Sequence, residues 1–323
     1  MTWYVEEGIG EQRAILVDGG EIRGARVEWP GSLAAGQIED AVLVSKARGS
    51  ARGTARFASG EQALVDRLPG DASEGATLRL EVTRAAIAEA GRGKLAHARL
   101  TAEAPAPPRT LAAALASEGH EILQVQSFTH DSWDDLIAEA FARNVPFDGG
   151  MLLLSPTPAM TLIDIDGALP PRLLALAAVP AIAATLRRLD IAGSIGIDFP
   201  TLPNKADRRA VDQALAAALA GWPHERTAMN GFGFVQLVAR LTRPSILQRV
   251  AHDPAGAAAR LLLRRAERVA DPGAILLACH PAVKACLREE WLAELARRTG
   301  REIRVEADPG LALPAGFAQA VAR

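Results

Sequence analysis

Over the first hundred residues apolar positions recur at every second residue in short runs. Ala14–Val17 and Ala25–Trp29 are set apart by Gly-Gly or Pro-Gly turns, and Gly36–Val44, Thr54–Phe57, Gln62–Val65 and Thr77–Thr83 follow. A period of two broken by glycine and proline predicts strands. Five or so short strands rich in arginine predict a small barrel, with the OB type as the candidate. The run Ala104-Pro105-Ala106-Pro107-Pro108 then closes the β-rich stretch and reads as a linker.

Beyond the linker, strand and helix patterns alternate. A helix is predicted at about 132–143, with Ser132 as its cap and Leu136, Ile137, Ala140 and Phe141 on one face. Gly149-Gly150 precedes a strand at Met151–Leu154, and Pro156–Pro158 turns into a second at Met160–Ile165. An Ala/Leu helix over about 171–189, a strand at Ser194–Phe199 and a helix over about 204–220 come next. The tail reads helix 255–269, strand Ala274–Ala278, helix 281–298 and strand Glu302–Glu306, a βαβ-like unit. The fold class predicted is α/β, α+β overall. Its parts are a β-rich region with a barrel over 1–103, a linker over 104–110, a sheet domain over 111–250 and a C-terminal α/β subdomain over 251–323.

Composition narrows the class. The 323 residues are 49% hydrophobic and 23% charged, enough for ordinary cores and against extended disorder. No apolar run approaches the ~20 residues that cross a bilayer. The N-terminus is neither basic nor apolar, and two cysteines make no disulfide framework. A soluble, cytoplasmic protein is expected. The net charge of −2 conceals local excess: residues 41–110 hold eleven Lys/Arg against seven acids, and residues 240–270 hold seven Arg against two. These tracts either contact phosphates or form solvated surface. No phosphate-cradling Gly-x-x-x-x-Gly-Lys-Ser/Thr or Gly-x-Gly-x-x-Gly loop occurs.

The candidate chemistry lies in three aspartates. Leu162-Ile163-Asp164-Ile165-Asp166 puts two carboxylates on one side of an apolar strand, ~6–7 Å apart. Ile195-Gly196-Ile197-Asp198 ends a second apolar strand. Parallel neighbours would bring these ends together at the carboxyl edge of the sheet, where α/β sites form. Mg²⁺ relieves such repulsion, taking one or two carboxylates plus waters and phosphate oxygens, and supports water attack on a phosphodiester. The alternative is that these aspartates cap the loops that follow them.

Read in order, the stretch from Trp133-Asp134-Asp135-Leu136-Ile137-Ala138-Glu139-Ala140-Phe141 to Pro244-Ser245 resembles the catalytic core of the ribonuclease E/G family. The resemblance runs through Pro146-Phe147-Asp148-Gly149-Gly150, the Asp164 strand, Leu186-Arg187 to Asp198-Phe199, Arg209-Ala210-Val211 and Phe232-Gly233. Weaker similarity continues upstream in Leu16-Val17-Asp18-Gly19, Gly36-Gln37-Ile38 and Gly91-Arg92-Gly93-Lys94-Leu95-Ala96. It implies an S1 RNA-binding barrel, an RNase H-like sheet and a Mg²⁺-dependent endoribonuclease acting on single-stranded RNA, with Mn²⁺ as a substitute ion. Asp164 and Asp198 would be the metal ligands. Asp166 stands where the family has an Asn, a change that either strengthens metal binding or weakens substrate binding. Phe57 either supplies a base-stacking face or packs as core, and Lys46, Arg92, Lys94 and Arg240 would contact RNA.

Departures from the family pattern shape the expectation. The insertion carrying the 5′-monophosphate sensor is missing between barrel and Trp133, and Gly231 replaces an Arg. Leu64 stands for the second barrel aromatic, and the Cys-Pro-x-Cys zinc link is absent. Cys279, His280 and Cys286 do not have zinc spacing, so neither structural zinc nor a zinc-linked dimer is expected. His97, His120, His130, His224, His252 and His280 are scattered, with His130 and His224 the candidates to reach a bound water. The other reading is an RNA-binding protein that keeps the fold without catalysis. No membrane partner is expected.

Overall fold

The computed structural model describes residues 2–89, 92–128 and 132–322, with only the backbone of Glu89, Arg92 and Ser132. Strands β1 (Thr2–Gly8), β2 (Glu11–Asp18) and β3 (Glu21–Glu28) form an antiparallel meander. It stands outside the barrel, because its alternation turns Ile15, Ala25 and Val27 into the central core.

The barrel begins at β4 (Ile38–Lys46) and continues through β5 (Gly53–Arg56), β6 (Gln62–Asp66) and β7 (Thr77–Arg84). A two-stranded ribbon, β8 (Ile87–Glu89) and β9 (Arg92–Lys94), leads to β10 (Ala96–Leu100), which closes it. The order around the ring is β4-β5-β6-β10-β7, with β6 and β10 parallel and the other neighbours antiparallel. Small inward side chains, Ala41, Ala55, Ala63 and Ala96, alternate with Leu43, Val65 and Leu80 to fill the lumen. The proline-rich stretch is tied back to this ring: Ile38 and Ala106 exchange both backbone hydrogen bonds at 2.9 Å.

Helix α1 (Leu111–Ser117) starts at Thr110, whose hydroxyl accepts the Ala113 N–H at 3.2 Å. Strand β11 (Glu121–Val125) then runs parallel to β1 and extends the first sheet to β11-β1-β2-β3. Helix α2 (Ser132–Ala142) buries Trp133, Leu136, Ile137 and Ala140 as one stripe. The cap predicted at Ser132 lies outside the described side chains.

The sheet that follows carries the candidate site. It is built from β12 (Asn144–Phe147), β13 (Gly150–Pro156), β14 (Thr161–Gly167), and, after helix α3 (Pro171–Arg188), β15 (Gly193–Asp198). Helix α4 (Lys205–Ala218), β16 (Glu225–Arg226) and β17 (Phe234–Ala239) complete it in the order β12-β13-β14-β15-β17-β16. Only β14 and β15 are parallel, joined over α3. One face is buried: Leu152, Leu154, Ile163, Ile195, Ile197, Val235 and Leu237 pack in the core that also holds Leu174, Ala178 and Ile182 of α3. Burial of each large side chain contributes roughly 1.5–3 kcal/mol. The chain leaves the opposite face open, with Leu153, Asp164, Asp166, Asp198 and Val238 exposed on it.

Helices α5 (Ile246–His252) and α6 (Pro254–Glu267) lead to the C-terminal unit. There β18 (Ala274–Cys279), α7 (Pro281–Cys286), α8 (Glu289–Thr299) and β19 (Ile303–Ala307) form a parallel βαβ unit, and β20 (Phe317–Val321) adds antiparallel to β18. The single helix expected over 281–298 is broken where Leu287 and Arg288 turn extended. The arginines of residues 240–270 are mostly structural. Arg260 lies 4.0 Å from the Trp29 ring centre and 4.8 Å from that of Trp291, and its Nε donates to the Gly10 carbonyl. Arg243 pairs with Asp190, Arg249 with Glu28, and Arg264 and Arg265 with Asp134. Five of the seven are thus spent on contacts within the chain, four of them tying α5 and α6 to it. No helix among the described residues is long and apolar enough to cross a membrane.

Candidate active site

Parallel pairing of β14 with β15 sets Asp164 opposite Asp198 in register. Neighbouring strands lie ~4.8 Å apart, and paired residues project to the same face. The register is held from beneath: a slip by one residue would expose Ile163, Ile165, Ile195 and Ile197 and bury the aspartates. Asp166 shares the face, two residues further on. All three carboxylates are exposed, and the Asp164 Oδ1 accepts the Ile165 N–H at 2.9 Å.

An apolar floor adjoins this edge. Phe234 on β17 pairs with Asp198, and its ring lies over Gly196. A Cβ at Gly196 would come within 2.5 Å of Phe234 Cζ, 2.8 Å of Leu162 Cδ2 and 3.0 Å of Met160 Sδ, so only glycine admits the ring there. The loop before β17 is tight. Asn230 Oδ1 accepts the N–H groups of both Phe232 (2.9 Å) and Phe234 (3.0 Å), and the Phe199 N–H donates to the Gly233 carbonyl at 3.2 Å.

The RNA contacts expected elsewhere are placed differently. Phe57 is 2% exposed inside the barrel, so it presents no stacking face and the core reading holds. Lys46 Nζ donates to the carbonyls of Pro69, Gly70 and Ala72, which uses all three of its protons to clamp a loop. Lys94 Nζ donates to the Pro158 carbonyl at 2.9 Å, joining the ribbon of β8 and β9 to the turn before β14. The Arg92 side chain lies outside the described residues. Arg240 is exposed and lines a cleft with Trp29 and Arg109. It follows Ala239, the partner of Gly193, and so stands at the sheet edge opposite to Asp198.

The histidines and cysteines do not converge on the carboxylates. His224 Nδ1 lies 2.7 Å from the Trp222 carbonyl and its ring stacks on Trp222, whereas His130 lies outside the described residues. His280 Nδ1 accepts the Ala282 N–H as a helix cap. Burial raises the pKa of both the Cys279 and Cys286 thiols, which keeps them protonated. Among the described residues no group of three His, Cys, Asp or Glu side chains gathers as a metal cluster. Asp166 is ~6–7 Å along the strand from Asp164. The in-register pair alone still fits Mg²⁺, which asks for one or two carboxylates and fills its remaining positions with water and phosphate oxygens.

Fold and site together define an α+β protein with a closed five-stranded barrel and a mixed sheet, helix-covered on one face and bearing paired carboxylates on the other. Residues 109–243 match the model of the Ribonuclease E/G family. The chain is also 29% identical over 203 residues to the proteins named Ribonuclease G of Escherichia coli (strain K12), Salmonella typhimurium (strain SL1344) and Shigella flexneri. Each alignment covers 54% of this chain and 41% of the relative, so the chain spans less than half the length of these relatives. Over this segment the chain is similar to the ribonuclease E/G family.

Proposed function

We propose that this protein is an endoribonuclease that hydrolyses phosphodiester bonds of single-stranded RNA in the cytoplasm, using Mg²⁺ or Mn²⁺ at Asp164 and Asp198. The observation that carries the reading is the register of these two exposed carboxylates on adjacent parallel strands, within the segment that matches the family. A divalent cation bound there neutralises phosphodiester charge and acidifies the attacking water. Asp164 and Asp198 hold it on a surface fixed by the isoleucine layer beneath. Asp166 accepts a proton-bearing group, water or a ribose hydroxyl, where an asparagine would also donate to phosphate. The barrel and the exposed Arg240 supply contacts to the sugar-phosphate backbone.

The test is cleavage of an end-labelled single-stranded RNA with Mg²⁺ or Mn²⁺ by the wild type, Asp164→Asn and Asp198→Asn. Cleavage by the wild type and its loss in both variants is the expected result. Equal rates in all three would overturn the assignment. Two features favour a second reading, a binder without catalysis: Asp166 adds negative charge beside the pair, and Gly231 stands where the family has an Arg. That reading predicts no cleavage and RNA affinity unchanged by either substitution.

A further inference from the structure

We propose that Phe232 is a stacking platform for the nucleobase adjoining the phosphodiester engaged at Asp164 and Asp198. The inference rests on the RNA-directed reading above and names a residue that seats the substrate. Phe232 is 80% exposed; the next most exposed large apolar side chain among the described residues, Leu173, is at 50%. A scattered surface apolar residue needs no explanation. This one differs because its backbone is fixed beside the carboxylates.

Asn230 and Phe234 exchange hydrogen bonds around it: the Asn230 N–H donates to the Phe234 carbonyl at 3.1 Å, while Asn230 Oδ1 holds the N–H groups of Phe232 and Phe234. Gly233 has φ +94°, and a Cβ on it would lie 2.4 Å from the carbonyl oxygen of Phe199, the residue after Asp198. The turn is therefore welded to the end of the aspartate strand. A Cβ on Gly231 would meet nothing within 4 Å, so the space beside the ring is open.

The occupant follows from the neighbours. A phosphodiester drawn to the carboxylate pair carries its own bases to within a few ångströms on either side. Phe232 stands two residues before Phe234, the partner of Asp198, and Phe234 with Leu162 and Met160 makes an apolar patch over Gly196 next to that pair. Bases stack on such aromatics without regard to sequence. A phenylalanine held by its backbone loses little freedom in accepting one.

The experiment measures binding of a fluorescein-labelled single-stranded RNA by anisotropy with Ca²⁺ in place of Mg²⁺, a gel of the same samples checking that the RNA stays intact, using the full chain. Phe232→Ala and Phe232→Leu should weaken binding about 5- to 150-fold, and Phe232→Trp should retain it. An RNA made abasic at the stacked position should lose the same factor with the wild type and nothing further with Phe232→Ala. Thermal unfolding of Phe232→Ala should match the wild type, because the side chain is exposed. Binding by Phe232→Ala or Phe232→Leu within twofold of wild type overturns the proposal, as does an abasic penalty equal in both proteins or absence of RNA binding altogether. Neutral Phe232 variants alongside aspartate-dependent cleavage would sink the platform and leave the nuclease. Phe232-dependent binding without any cleavage would keep the platform and sink the nuclease.

Discussion

Replacing Asp198 by asparagine separates the charge of the carboxylate pair from its shape. Two unit charges ~5 Å apart repel by about 0.8 kcal/mol in water-like surroundings and by about 3 kcal/mol at an effective dielectric near 20. Both side chains are exposed, so the lower figure governs. In EDTA, Asp198→Asn should therefore leave stability unchanged or raise it by up to about 1 kcal/mol. Asp164→Asn should behave in the same way, since the amide oxygen can still accept the Ile165 N–H. Added cation should reverse the order. At a hundredfold excess over its Kd a ligand of the folded state contributes about 2.7 kcal/mol, and only the wild type should gain it. Thermal unfolding in EDTA and in rising Mg²⁺ or Mn²⁺ reads both effects on the same samples. The opposite signs are diagnostic. Aspartates that merely cap their loops would be replaced by asparagine without loss in EDTA and without any cation-dependent difference, and a cation shift of equal size in wild type and variants would refute the metal assignment.

Three further outcomes follow from the packing and the sequence. Arg13 is 1% exposed between Glu6 and Glu11, so Arg13→Met leaves Glu6 to Arg264 and the Phe128 N–H, leaves Glu11 only the Trp29 indole N–H, and should cost about 3–5 kcal/mol in urea unfolding; a loss below about 1 kcal/mol would refute the network. Burial, and then the charge of Arg84, lower the His97 pKa, so the unfolded chain takes up this proton first as pH falls. Stability linked to His97 is complete above its unfolded value near 6.5 and is lost as pH drops from there through the lower folded value; His97→Gln should flatten that slope below the unfolded value. On the proposed nuclease reading, with about thirty residues between barrel and Trp133, mono- and triphosphorylated RNAs should be cleaved at equal rates, and a strong preference for the monophosphate would contradict the expected absence of a 5′ sensor.

The paired carboxylates were legible because each aspartate strand buries one face completely: Ile163 with Ile165 and Ile195 with Ile197 leave the alternation unambiguous. The Ala/Leu pattern of α3 marks the connection that makes β14 and β15 parallel. Strand β11 carried no such mark. Its residues are exposed or half-buried, and it pairs with β1, more than a hundred positions away in sequence. Residue type also conceals the side chain's direction and partners. Lys46 has the chemistry of a phosphate ligand, but the loop carbonyls of Pro69, Gly70 and Ala72 claim it. The arginines after residue 240 add up to a basic tract in sequence, while their acidic partners come from β3, α2 and the end of α3. The space over Gly196 depends on Phe234, which only the register of β17 brings there.

The way the barrel meets the sheet gives the open face its purpose on this reading. The barrel is joined by Lys94 to the Pro158 carbonyl, just ahead of β14, and by the Ala85 N–H to the Thr242 carbonyl, just after β17. Both contacts lie at the edge where β14 begins and β17 ends. Asp164, Asp198 and Phe234 share the other end of their strands. Ala239 lies five steps along the strand from Phe234, about 17 Å at strand rise. A single strand held by the barrel must cross this distance over the uncovered face before a phosphate reaches the carboxylates. The outward residues of β17 along that path, Val238, Gln236 and Phe234, offer apolar and amide surface free of negative charge. An RNA backbone is repelled by carboxylates that lack a cation, so the charge is best confined to the end of the path. The sheet does this: its aspartates sit where β14 and β15 stop, and apolar side chains occupy the approach.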